Sequence, residues 1–291
     1  MLTPPQAEVV CRLIADEAIG EVVDCLQRGF PERPRVYWTR GLERLSRRPE
    51  IGDYPRYGYA LFADDRVVGV LLQIFSRSGE AADNVRCNLS SWCVDEKYRS
   101  YAPLLHLTAV KRKEATYLNI SPAAHTRQVI EAFGFRRFSN GQIVFAPFLS
   151  APQGNVRVRA FAADSPDAAL LSQSERRLLA DHAAMGCRAL ICVADGAAYP
   201  FVFQDRTILR RLIPCPQLVY CRGMDEFIRF AGPIGRYLLF RTGPVCIADA
   251  AGPTAGLVGR YFTERAPKYF KGPNPPRLGD LSYTELVILG P

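Results

Sequence analysis

Apolar positions along the chain recur with two periods, and the alternation between them outlines an α/β order. Residues 8–14 (EVVCRLI) read as a short strand. Ala18, Ile19, Val22, Val23 and Leu26 then fall at helical spacing and predict a helix near 17–28. Pro31 and Pro34 interrupt it, and Pro34 opens a second helix through Leu45. β-rich runs at 57–63 and 67–75 flank Ala63-Asp64-Asp65-Arg66, a hairpin signal. A polar loop at 77–84 leads into a strand over 85–94, and a stretch rich in Leu, Ala and Val predicts a helix over 99–112. Residues 116–120 are strand-like. Ser121 is placed to cap a helix with Pro122 at its first position, and Gly134 stops that helix. Runs at 135–138 and 142–148 close this half, and Ser150–Asn155 reads as a linker.

The second half repeats the order imperfectly. RCNLSSWC ends in Cys93 and PCPQLVYC ends in Cys221, so Cys87 pairs with Cys215 and Cys93 with Cys221 at one offset of 128. Near that offset the helix from Arg99 meets 226–240 and the strand 116–120 meets 244–248, while Ala63/Asp64 meets Ala194/Asp195 at 131. A near-constant offset with shared element order points to duplication, with an unrelated α/β domain of similar size as the alternative. The expected division is 1–150 and 156–291. The stretch 263–285, rich in Pro, Gly and aromatics, reads as an ordered loop.

Composition narrows the function classes. With 48% hydrophobic and 23% charged residues in 291, the chain has material for one large or two ordinary cores. No apolar run approaches the roughly 18 residues that span a bilayer. Glu8, Arg12, Asp16 and Glu17 stand where a signal peptide needs its apolar stretch, so a cytoplasmic protein is expected. Nine cysteines are an odd number without CxxC spacing, and three histidines (His106, His125, His182) lie far apart. No metal is expected. The net charge of +8 favours anionic partners, yet the basic residues are scattered rather than gathered as a nucleic-acid stripe.

The informative segment is 94–110 (VDEKYRSYAPLLHLTAV), a strand leaving through a tight turn into a helix, where unpaired N–H groups suit a phosphate. With Tyr98-Arg99-Ser100-Tyr101-Ala102-Pro103-Leu104, then Tyr117-Leu118-Asn119-Ile120-Ser121, then Glu131-Ala132-Phe133-Gly134-Phe135-Arg136, the chain resembles the GNAT superfamily of acyl-CoA N-acyltransferases over about 8–148. The resemblance implies an α/β (α+β) fold of two GNAT-like domains, each a mixed, mostly antiparallel sheet flanked by helices. It implies acetyl-CoA or another acyl-CoA as co-substrate and a small-molecule amine as acceptor. It puts the pyrophosphate on main-chain N–H groups of Arg99, Ser100, Tyr101, Ala102 and Leu104. The pantetheine arm would pair with the edge of strand 88–94, including Cys93 and Val94, and Asn119 and Ser121 would sit near the thioester.

The departures are as informative. The family's turn glycines are Ser100, Ala102 and Leu104 here, and Pro103 removes a donor. Ile130 occupies the position of the tyrosine that protonates the leaving thiolate. Strand 88–94 carries Asn88, Ser90, Ser91 and Cys93 but no carboxylate. The catalytic acid and base are thus not identifiable. Ser91, Asp95 and Tyr117 are the candidates carried forward, beside Glu80, Asp83, Tyr98 and Tyr101. Cys93 has no neighbouring histidine to activate it as a nucleophile. In the second half, Arg222-Gly223-Met224-Asp225-Glu226 puts two carboxylates where a pyrophosphate would bind, so that copy is expected to have lost the cofactor. The alternatives are a non-catalytic acyl-CoA-binding or regulatory protein, and an aminoacyl-tRNA-dependent transferase, which needs a larger basic surface.

Overall fold

The computed structural model describes residues 8–77, 84–151, 154–208 and 213–290. Packing divides them into two compact units. The first runs through Asn119 and takes in Lys271–Asn274 and Ile288–Gly290; the second is Ile120–Phe270 with Pro275–Val287.

The first unit contains β1 (Val9–Leu13), α1 (Ile19–Gly29), α2 (Arg35–Ser46), β2 (Gly58–Ala63), β3 (Arg66–Arg77), β4 (Val85–Val94), α3 (Ala102–Ala109) and β5 (Thr116–Asn119). The strands lie in the order β1-β2-β3-β4-β5, antiparallel except for the β4/β5 pair. β3 is buried from Val67 to Ser76, because α1 and α3 both pack against it. That is why its sequence is a nearly continuous apolar run rather than an alternating one. The β2/β3 hairpin turns on Asp64 and Asp65, both at positive φ (48° and 60°), in the two-residue form that matches strand twist.

The second unit contains α4 (Arg127–Ala132), β6 (Arg136–Phe145), β7 (Arg157–Ala160), α5 (Pro166–Ala169), α6 (Gln173–Ala184), β8 (Arg188–Ala194) and β9 (Ala197–Gln204). A short hairpin, β10 (Thr207–Ile208) and β11 (Ile213–Pro214), precedes β12 (Gln217–Tyr220), α7 (Met224–Leu239), β13 (Cys246–Ala250) and β14 (Gly259–Lys271). Within this unit the strands run β14-β6-β13-β12-β9-β8-β7. Phe201, Phe203, Phe227, Phe230, Ile234 and Leu238 build its core between the sheet and α7. The Lys268 ammonium lies 2.9 Å from Asp249 with both side chains buried, and the Gln142 amide donates to the same carboxylate at 3.0 Å. Such a pair is tolerated in a core because each charge is partnered.

Four expectations change. The helix expected over 99–112 is shorter: Glu96–Tyr101 form a 3-10 turn and α3 starts at Ala102. Ser121 caps no helix; Ala124–Thr126 form a 3-10 turn, Ala123 precedes it, and the Ser121 hydroxyl donates to Glu285. The runs 135–138 and 142–148 are one strand, β6. Its Gly141 is required by close approach, since a Cβ there would meet the Phe262 carbonyl oxygen at 2.2 Å. Of the loop expected over 263–285, residues 263–271 belong instead to the thirteen-residue β14, which pairs with β6 and bulges where Glu264 and Ala266 take positive φ.

Candidate active site

The distinctive feature of the first unit is how β4 leaves its neighbour. Its parallel ladder to β5 runs Arg86↔Thr116, Cys87↔Tyr117 and Asn88↔Leu118, and ends there. From Leu89 to Val94, β4 is paired within this unit to β3 alone. Asn88 clips the opening: its side-chain amide donates to the Leu89 carbonyl at 2.9 Å and reaches the Leu118 carbonyl at 3.4 Å. The family resemblance implied an open edge over 88–94, but the sequence signalled neither where the ladder to β5 ends nor the clip.

A β-bulge sits in the open stretch. Leu72 pairs with Ser90 and Val70 with Cys93, so the step of two residues on β3 spans three on β4, and Ser91 takes φ 56°. The extra residue inverts the alternation of side chains. Gln73, the partner of Leu89, reaches the Ala109 carbonyl of α3 at 2.8 Å and Cys87 at 3.6 Å. Cys87 therefore faces α3. Without the bulge Cys93 would face the same way; instead its sulfur lies 3.9 Å from the Cys25 carbonyl of α1, and a Cβ on Gly29 would collide with it. Trp92 faces α3, its ring 5.1 Å from that of His106.

These placements sort the residues named from the sequence. Contact with the Cys25 thiol, then burial, pushes the Cys93 thiol well above its usual range, so it stays protonated and faces α1. Both Asp95 oxygens are held by Arg28, at 3.1 and 2.9 Å, with Arg66 at 3.9 Å. That pairing, with Asp95 as the main cause, raises the Arg28 guanidinium. The Tyr117 oxygen accepts the Arg112 N–H at 3.1 Å, and burial followed by Cys87 drives the phenol upward. His106 is 1% exposed, and burial followed by the Lys271 charge lowers its imidazole to about 4. It is neutral at pH 7. Ser91 touches its neighbour, hydroxyl to hydroxyl, at 2.9 Å from Ser90.

The turn after β4 is tighter than a simple nest of free N–H groups. Arg99, Ser100 and Tyr101 lie in the 3-10 turn, where the Tyr98 N–H donates to Asp95 and the Ala102 N–H to Arg99. Arg99 pairs with Glu96 at 3.7 Å, Ser100 is exposed, and Leu104 is 43% exposed on the first turn of α3. Asn119, half-buried, ends β5 in the first unit, whereas Ser121 falls in the second. Glu80 and Asp83 lie outside the described residues.

The second unit repeats the geometry with one difference. β12 is parallel to β13 only at Gln217↔Ile247, antiparallel to β9, and bulged at Val219, between Leu218↔Phe203 and Tyr220↔Val202. Val219 stands 128 residues after Ser91. The β8/β9 hairpin turns on Asp195 and Gly196, again both at positive φ. Beyond Gln217, however, the chain's own residues 279–281 lie along the edge of β12. Arg222, in the turn before α7, is bound by Glu175.

No family model matches the sequence, and no curated protein matches it. Solved structures share its fold. A GCN5-related N-acetyltransferase from Anabaena variabilis superposes with TM-score 0.56 at 8% identity, over 90% of this chain and 72% of that one. One from Kribbella flavida gives 0.54 at 12%, over 90% and 71%. Eis1 from Mycobacterium abscessus gives 0.51 at 14%, over 94% and 74%. At these identities the likeness is one of fold. The chain has the GCN5-related N-acetyltransferase fold, a mixed α/β architecture with mostly antiparallel sheets.

Proposed function

We propose that the protein takes an acyl-CoA, acetyl-CoA or another short-chain thioester, along the free edge of β4 and passes the acyl group to a primary amine of a small molecule. The splay of β4 from β5 beyond Asn88, combined with the bulge at Ser91, carries this reading. An extended chain with two amides, as in pantetheine, adds to such an edge by main-chain hydrogen bonds. Cys93 and Val94 contribute backbone here, not side chains. Beyond them, the turn that carries Arg99, Ser100, Tyr101, Ala102 and Leu104 borders the pyrophosphate, with exposed Ser100 at the contact, and Asn119 stands toward the thioester. A main-chain N–H near the bulge polarises the thioester carbonyl.

In the transfer, the amine nitrogen attacks the carbonyl carbon and the C–S bond breaks. The proton lost by the amine ends on the CoA thiolate. No covalent enzyme intermediate forms, in keeping with a Cys93 thiol that is protonated and turned to α1. Asp95 and Tyr117 act as scaffold, because Arg28 and the Arg112 N–H occupy their oxygens. Ser91 is the polar side chain left at the bulge. We read the sequence as a duplication with limits 1–150 and 156–291, supported by the matching bulges, hairpins and parallel pairs. The second copy takes no cofactor. A cytoplasmic setting fits nine free thiols.

A second reading, acyl-CoA binding without turnover, is favoured by one observation: within the first unit, among the described residues, the free stretch of β4 offers no unengaged carboxylate. Release of CoA thiol with a panel of amines, set beside calorimetry with acetyl-CoA and CoA, separates the two. Binding without turnover on any amine selects the second. Ser100→Glu places a carboxylate against the phosphates and is expected to weaken CoA binding by at least about a hundredfold. Undiminished affinity in that variant would discard the placement.

A further inference from the structure

Residues 277–284 behave like a ligand of the second unit. Asp280 forms an antiparallel bridge with Tyr220, flanked by Cys221 N–H to the Gly279 carbonyl at 2.9 Å and Leu281 N–H to the Val219 carbonyl at 2.8 Å. These bonds use the main-chain groups of β12 that point away from β9, immediately past the point where β12 parts from β13. By strand, bulge and offset, this is the edge that corresponds to Leu89–Val94 of β4.

The segment is anchored on both sides. Arg277 donates to the Cys221 carbonyl, lies 3.6 Å from Asp280 and stacks over the Tyr220 ring at 5.2 Å. Asp280 also accepts from the Ser282 hydroxyl at 2.6 Å. The Tyr283 N–H donates to His182 Nε2 at 3.2 Å, with His182 Nδ1–H directed to the Leu178 carbonyl at 2.7 Å, and the Tyr283 hydroxyl donates to Asp181 at 2.7 Å. Asp280, Leu281, Ser282 and Thr284 are all buried. Gly279, at φ 78°, permits the close approach, since a Cβ there would lie 2.4 Å from the Cys221 sulfur.

We propose that this segment is an internal strand standing where a pantetheine arm would lie, so that the second unit is closed by its own chain and takes no acyl-CoA. The inference rests on the reading of the β4 edge as the cofactor edge. A tethered strand competes at an effective concentration on the order of millimolar and is covalently retained, so a free cofactor of ordinary affinity does not displace it.

Amide hydrogen exchange on the full chain, with and without saturating CoA, tests this, together with the stoichiometry by calorimetry. The Cys221 and Leu281 amides are expected to exchange slowly in the free protein and to be unchanged by CoA, while Leu89–Val94 slow on binding and one equivalent is taken up. Two equivalents, fast exchange at Cys221 and Leu281 in the free protein, or CoA-dependent slowing there would each overturn the proposal. No CoA uptake with those two amides still slow would end the acyl-CoA reading while supporting the closed edge. In Gly279→Val the two amides should exchange at least tenfold faster with β8 and β9 unaffected. Unchanged rates in that variant count against the strand, and the wild-type measurement decides the matter if it does not fold.

Discussion

Asp95 illustrates how a residue's partners decide its chemistry. A carboxylate just past the proposed cofactor strand looks like a base, yet a bidentate arginine holds both of its oxygens. His106 has the opposite character: a titratable ring in the core, neutral because burial excludes its charged form. Its folded-state value of about 4 lies below the ordinary 6.5, so the unfolded chain binds the extra proton between those limits. Stability is therefore fully present above pH 6.5 and falls as pH drops toward 4. Relative to His106→Leu, wild type should lose about 3 kcal/mol across that window in denaturant titrations. A pH-independent difference between the two would show that His106 binds its proton equally well in the folded and unfolded chain. The histidine was visible in the sequence, but its burial against Trp92 was not, because no local pattern reports what covers a helix face.

At the scale of elements, two helix glycines with the same propensity penalty should respond oppositely to alanine. Gly20, in the first turn of α1, has open space where a Cβ would stand, with no atom within 4 Å. Gly20→Ala should stabilise by about 0.5 kcal/mol through lost unfolded-state freedom. Gly235 of α7 lies against backbone, with a Cβ meeting the Phe148 nitrogen at 2.2 Å and the Pro147 carbonyl carbon at 2.4 Å. There the same change should cost about 2 kcal/mol or more, because main chain cannot step aside. Thermal melts of the two variants check both signs. The elements themselves were largely legible: the β2/β3 hairpin and the strand–turn–helix joint follow from periodicity and turn residues, and the β8/β9 turn and α7 from the near-constant offset between the halves. β14 was not. Its Pro267 and the charges at Glu264, Arg265 and Lys268 break the strand pattern, and its pairing with β6 is a contact far along the chain.

For the molecule as a whole, the net charge of +8 makes a prediction independent of any single contact. If the ligand is the polyanion CoA, its association rate should fall by about tenfold between low and about 0.5 M salt, while dissociation changes less. Stopped-flow binding measures this, and a flat salt dependence would mean that local contacts, not the overall field, draw the cofactor in. By itself, the amino-acid order determined the alternation of helices and strands, the near-constant offset between the halves and the family resemblance carried by residues 85–138, since each is written in local spacing. The tertiary structure decided where β4 leaves β5, which way Cys93 turns at the Ser91 bulge, and that residues 279–281 close the edge of β12. These depend on main-chain hydrogen bonds between distant segments, and such bonds leave almost no mark on the side chains that a sequence records.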